Sequence, residues 1–121
     1  MSQSIYNYNA KIVRVIDGDT IEAMIDLGFN VSIKVPVRLY GIDTPETRTL
    51  NAEEKKAGLV SKERLKALLP EGKSFYLTSK KIEKYGRILG EIKLTQDSEL
   101  TVSQTLIKEG LAKEYYGEKK S

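Results

Sequence analysis

A chain of 121 residues is long enough for one domain with a single modest core, and 40% hydrophobic with 31% charged residues is an ordinary globular composition. The absence of cysteine and histidine excludes disulfides, thiol nucleophiles, thiolate or imidazole metal sites and a histidine general base. The net charge of +3 excludes little; acid–base chemistry must come from Asp, Glu, Tyr, Lys or water, and any metal must be a hard cation on oxygen ligands.

In chain order, the opening segment Met1 to Tyr6 has neither a basic n-region nor an apolar h-region, and no apolar run reaches membrane-spanning length. The expectation is a cytoplasmic protein without membrane contact. Residues from about Ala10 to Ile16 read as a first strand. Ile21, Ala23, Ile25 and Leu27 alternate with Glu22, Met24 and Asp26 as a second, half-buried strand. Gly28-Phe29-Asn30 reads as a turn. Val31, Ile33, Val35, Val37 and Leu39 then alternate with Ser32, Lys34, Pro36, Arg38 and Tyr40. Period-two geometry puts Arg38 on the face opposite the apolar set, and Pro36 marks an edge or a bulge.

Asn51-Ala52-Glu53-Glu54 resembles a capping box that opens a helix, with Ala57, Val60, Leu65 and Leu68 at helical spacing and Pro70 and Gly72 ending it. Gly58 inside that helix costs about 1 kcal/mol against alanine, which points to close packing. Ser74 to Ser79 and the alternation Ile88, Gly90, Ile92, Leu94 read as two more strands. Thr101-Val102-Ser103-Gln104 is a second capping box, with Gly110 as the C′ residue of a helix from Val102 to Glu109. No repeat or linker interrupts the chain. The expectation is one domain over 1–121, its core at about 9–116: an α+β, mainly β fold built on a five-stranded OB-like barrel with two helices.

Charge is uneven along the chain: residues 1–50 carry five basic and six acidic side chains, residues 51–121 fifteen and eleven. The early acids gather in two motifs. Asp17-Gly18-Asp19-Thr20 lies between two strands, where Asp-Gly by itself signals only a hairpin turn. Asp43-Thr44-Pro45-Glu46 follows the strand carrying Arg38, and Pro45 holds Thr44 extended. A third motif, Lys84-Tyr85-Gly86-Arg87, heads the last barrel strand. Asp19 and Asp43 together offer an oxygen site for a hard cation, completed by a backbone carbonyl and water. Glu46 can accept a proton from a nearby water. Arg38 and Arg87 present planar forks that match phosphate oxygens. Asp19, Asp43 and Glu46 would also crowd three negative charges together in the absence of a cation.

Taken in order, Val15 to Thr20 (V-I-D-G-D-T), Val37 to Glu46 (V-R-L-Y-G-I-D-T-P-E), Lys84 to Arg87 (K-Y-G-R) and Val102 to Ala112 resemble the staphylococcal nuclease-like, or thermonuclease, domain over about Asn9 to Tyr116. The resemblance implies an OB-fold barrel and calcium-dependent (Ca2+) endonuclease hydrolysis of DNA and RNA. A phosphate-centred site with no base-reading element beside it adds the expectation of little sequence specificity; single strands as the preferred substrate and a monomer are also expected. The resemblance implies that Asp19, Asp43 and the Thr44 backbone carbonyl hold calcium, that Glu46 is the general base, and that Arg38 and Arg87 contact the reacting phosphate. It further implies that Lys84 and Tyr85 contact a neighbouring phosphate and that Tyr116 lines the nucleotide pocket. The segment after Glu46 departs from the lysine-rich loop of the secreted enzyme, and the chain has no room after Tyr116 for the family's third, C-terminal helix. With no signal-peptide pattern over Met1 to Tyr6, the expectation is a plasmid- or phage-encoded intracellular member. The alternative is a non-catalytic OB-type module that binds nucleic acid; a small-nucleotide phosphodiesterase would use the same groups in a closed pocket.

Overall fold

The computed structural model describes residues 6–47, 49–83 and 86–115. Five strands close into a barrel in the order β1 (Asn7–Asp17), β2 (Thr20–Gly28), β3 (Val31–Leu39), β6 (Ile88–Lys93) and β5 (Ser74–Ile82). All pairings are antiparallel except β3 with β6, whose parallel pairing over Val37–Leu39 and Ile88–Gly90 closes the barrel. This is the five-stranded OB-type α+β architecture, with two helices, α1 (Ala52–Leu68) and α2 (Val102–Lys108).

The core follows the period of two. Ala10, Ile12 and Val15 of β1, Ile21, Ala23 and Ile25 of β2, Val37 and Leu39 of β3, Phe75 and Leu77 of β5 and Ile92 of β6 all point inward. Leu65 and Leu69 of the α1 end and Val102 and Leu106 of α2 join the same cluster. Each fully buried Leu, Ile or Phe contributes about 1.5–3 kcal/mol relative to exposure.

Three sequence expectations need correction. The apolar alternation of β2 and β3 continues past the barrel: Leu27, Val31 and Ile33 are exposed, because the hairpin runs beyond the parallel seam, where β3 has only β2 as a neighbour. Pro36 therefore sits on an open edge, where its missing N–H costs nothing. On α1, Ala57 and Val60 face solvent; the packed stripe is Gly58, Ser61 and Leu65. Two short strands outside the barrel add to the expected five. They are β4 (Gly41–Asp43) and β7 (Lys113–Tyr115), paired antiparallel with Asp43 opposite Lys113 and Gly41 opposite Tyr115.

The expected caps divide. At α2 both halves of the box form between Thr101 and Gln104, and Gly110 takes a positive φ of 76°. At α1 the Asn51 side chain accepts from the Glu54 N–H, but the Asn51 N–H donates to Thr49 Oγ1. The Glu54 carboxylate turns instead to the N–H of Glu46, at 3.4 Å.

Candidate active site

The β1–β2 turn, the end of β3 and the segment after β4 meet at one end of the barrel. Thr20 pairs with Arg38 in the β2–β3 register, and Leu39 N–H donates to the Asp19 carbonyl at 2.8 Å. That register brings the Asp19 carboxylate against the Arg38 guanidinium. Asp19 is 7% exposed. Its Oδ2 accepts from Arg38 Nη1 at 3.0 Å and from the Thr44 N–H at 3.4 Å; its Oδ1 accepts from Thr20 Oγ1 at 3.0 Å.

The other arm of the Arg38 fork reaches β4. Nη2 donates to the Ile42 carbonyl at 3.0 Å and lies 3.6 Å from Asp43 Oδ1. Two carboxylates from separate loops thus converge on one guanidinium. A charged pair this close to burial survives because its polar atoms are hydrogen-bonded. The Tyr115 ring of β7 lies 5.8 Å from the Arg38 guanidinium carbon, close enough for a cation–π contribution.

Glycines let these loops touch. A Cβ on Gly18 would lie 2.8 Å from Thr44 Oγ1 and 2.9 Å from Ser61 Cβ, so the Asp-Gly turn is seated on the Thr44 loop and on α1. Ser61 in turn donates to the Leu111 carbonyl at 2.7 Å. Thr44 Oγ1 is buried with no hydrogen-bond partner among the described residues.

Of the residues singled out from sequence, Asp19, Arg38, Asp43 and Thr44 come together here. Glu46 stands two residues along the same loop, exposed. The crowd of three acids does not form, since among the described residues no three carboxylates are placed to share an ion. Arg87 precedes β6 and is held by Glu83, Nε to Oε1 at 2.7 Å, rather than by the aspartates. Lys84, Tyr85 and Tyr116 lie outside the described residues.

Beside Arg38 runs an open cleft of ≈ 260 Å³, with Tyr40, Lys80, Glu83, Leu89 and Tyr115 among its walls. Lys80 lies 5.1 Å from the Tyr40 ring centroid and bridges to Glu91 at 3.3 Å. A second cleft of ≈ 380 Å³ holds Asp43, Glu46, Glu54 and Lys113.

The sequence profile described as staphylococcal nuclease homologue matches residues 36–121. The chain belongs to that family. It is 36% identical over 110 residues to Endonuclease YncB of Bacillus subtilis (strain 168), a match covering 89% of this chain and 48% of that protein. It is 33% identical over 104 residues to an uncharacterized endonuclease of Escherichia coli, covering 86% and 59%. The SPbeta prophage-derived endonuclease YokF of Bacillus subtilis (strain 168) is 36% identical over 105 residues, covering 85% and 33%. The chain therefore spans between a third and three fifths of the length of these curated relatives.

Within this staphylococcal nuclease homologue, sequence reasoning missed Tyr115 and Tyr40 as walls of the Arg38 cleft, and Glu54 and Gly58 as contacts of the Glu46 loop. The signal for Tyr115 is its place beside Tyr116. β7 is three residues long, too short to show a period from which the facing of Tyr115 could be read.

Proposed function

We propose that this chain is a calcium-dependent nuclease that hydrolyses phosphodiester bonds of DNA and RNA with little sequence specificity and a preference for single strands. The observation that carries this reading is the convergence of Asp19 and Asp43 on the two arms of the Arg38 guanidinium. Asp19 already pairs with Arg38 at 3.0 Å, so a second carboxylate beside the same guanidinium, Asp43 at 3.6 Å, is surplus to a module that only binds nucleic acid. The names of the endonuclease relatives support the same reaction class.

Asp19, Asp43 and the Thr44 carbonyl would hold the cation. The donor set fits a hard ion because it is all oxygen, with both carboxylates gathered at one end of the barrel. Calcium accepts such irregular oxygen sets with water in the remaining positions. When bound it supplies positive charge that offsets the charge building on the phosphoryl oxygens.

The protein's own groups do the rest. Glu46, exposed at the loop, takes a proton from the attacking water, whose oxygen bonds to phosphorus as the bond to the leaving oxygen breaks, and the departing alkoxide takes a proton from solvent water. Arg38 is pre-oriented: two of its N–H donors are committed to Asp19 and Ile42, out of the five a guanidinium carries. The Arg38 side chain also lines the ≈ 260 Å³ cleft, where a phosphate would meet it. Arg87 reaches the same charge by exchanging Glu83 for a phosphate oxygen. Fixed donors aimed at developing charge typically contribute about 10²–10³-fold each.

Phosphate contacts orient a strand but do not read its bases, which supports low sequence specificity. Tyr40 and Tyr115 beside Arg38 offer aromatic faces on which unpaired bases stack, which supports the preference for single strands. The test is single-turnover cleavage of a short oligonucleotide at saturating calcium. Glu46→Gln loses about 10²–10⁴-fold in rate, the usual share of a general base. A wild-type rate across neutral to alkaline pH would show that Glu46 is not the base.

A further inference from the structure

Among the described residues the acid loop after β4 has no hydrogen-bonded ladder of its own beyond Asp43, yet Glu46 must be held to within a fraction of an ångström if it is to take a proton in line. Two contacts from α1 converge on its backbone. A Cβ on Gly58 would lie 2.7 Å from the Glu46 carbonyl oxygen, 2.7 Å from that of Pro45 and 2.8 Å from the Glu46 carbonyl carbon. One turn earlier, Glu54 Oε2 accepts from the Glu46 N–H at 3.4 Å. Residues four apart share a helix face, so one stripe of α1 grips both sides of Glu46.

Neither contact is explained by helix formation. Glycine is a poor interior helix residue, and buried Gly58 leaves no side chain to pack. A glutamate at the third helical position behind an Asn cap ordinarily returns to the N–H of the cap residue. Here that N–H goes to Thr49, and Glu54 is left to the Glu46 loop. Both departures point to the same stretch of backbone.

We propose that Gly58 and Glu54 are positioning residues for Glu46, α1 being the rigid rail that sets the distance of its carboxylate from the Asp19–Asp43 pair. This rests on the reading of Glu46 as the base. Alanine at residue 58 cannot enter without displacing the Pro45 and Glu46 carbonyl groups, so that stretch is pushed off α1, while Asp19 keeps its bonds to Arg38 and Thr20. The consequence is a slower chemical step with substrate binding little changed, the signature of an interaction that matters in the transition state.

The experiment measures single-turnover rate, oligonucleotide affinity and melting temperature with a 5′-fluorescein thymidine octamer at saturating calcium. The variants are Gly58→Ala, Glu54→Ala, Glu54→Gln, Glu46→Gln and the double variant Gly58→Ala with Glu46→Gln. Gly58→Ala slows the single-turnover step about 10²-fold, the scale of a misplacement near 1 Å, with affinity within about threefold. Glu54→Ala loses about fivefold, the size of one net hydrogen bond; Glu54→Gln, which keeps an acceptor, loses less. In the Glu46→Gln background Gly58→Ala changes the rate by less than about twofold, since the group it positions is already gone. Full additivity of Gly58→Ala and Glu46→Gln, or a wild-type rate for Gly58→Ala, overturns the proposal while leaving Glu46 as the base. A wild-type rate for Glu46→Gln overturns the base assignment instead, whatever Gly58→Ala does. If Gly58→Ala fails to fold, the exposed Glu54 pair decides: equal rates for Glu54→Ala and wild type reject the proposal.

Discussion

Asp19→Asn separates the electrostatics of the folded site from a simple crowding of acids. Three unpaired carboxylates would repel, and neutralising one would raise the melting temperature in chelator. The geometry reverses that sign for Asp19, because its carboxylate is 9% exposed and faces a guanidinium that is 16% exposed, at 3.0 Å. Asparagine can keep its oxygen toward Arg38 and the Thr44 N–H, and the Thr20 hydroxyl can turn to accept from its amide. Shape and hydrogen-bond count are therefore retained, and what is lost is charge. Removing one partner of a buried pair costs about 3–5 kcal/mol. Here Arg38 retains the Ile42 carbonyl and has Asp43 at 3.6 Å, so the loss is discounted to about 1–2 kcal/mol. For a domain of this size that corresponds to a fall of about 4–10 °C. Thermal unfolding followed by circular dichroism in EDTA is the assay. Glu46→Gln alters an exposed side chain on the same loop, serves as the comparison and melts with the parent. An Asp19→Asn protein melting at or above the parent in EDTA would mean that repulsion among the acids outweighs the pairing of Asp19 with Arg38.

Calcium supports far more cleavage than magnesium, since a site of two carboxylates, a carbonyl and water lacks the near-octahedral cage that magnesium demands; equal rates at saturating metal would contradict this. Calcium also raises the melting temperature of the parent by mass action, and raises that of Asp19→Asn less at the same concentration. A separate prediction concerns α1 and α2, clipped by Arg64 and Glu109 at 2.7 Å. The hydrogen bond from Arg64 holds the Glu109 carboxyl below the ordinary carboxylate range. Stability from a lowered carboxyl is present above its unfolded pKa and lost as pH falls through its folded value. Glu109→Gln therefore melts below the parent at neutral pH and level with it in acid; a gap that widens in acid would contradict the assignment.

The barrel was legible because period-two alternation survives wherever a strand lines a core. Ile21, Ala23 and Ile25 announce β2, and Ile92 announces β6. The same pattern misled at Val31 and Ile33, where alternation continues along a hairpin that has left the core. β4 and β7 are three residues each, too short to carry any period. On α1 the packed stripe is glycine, serine and leucine, so apolar spacing singles out exposed Ala57 and Val60 instead. Asp19, Arg38, Asp43 and Thr44, which the structure brings together, were legible as residue types in ordered motifs, and Gly58 was legible as an anomaly. Their mutual geometry was not, because the pairing of Arg38 with Asp19 depends on the β2–β3 register, and the diversion of Glu54 depends on where the acid loop lands.

Whether the barrel cuts or only binds is decided by incubating the purified protein with plasmid and with random-sequence single-stranded DNA, in calcium or in chelator, followed by gel analysis. A calcium-dependent nuclease degrades both substrates to short products in calcium, the single strand faster, and leaves both intact in chelator. Intact DNA in calcium, with the strands retarded by bound protein, would contradict the assignment and identify a barrel that binds nucleic acid without cutting.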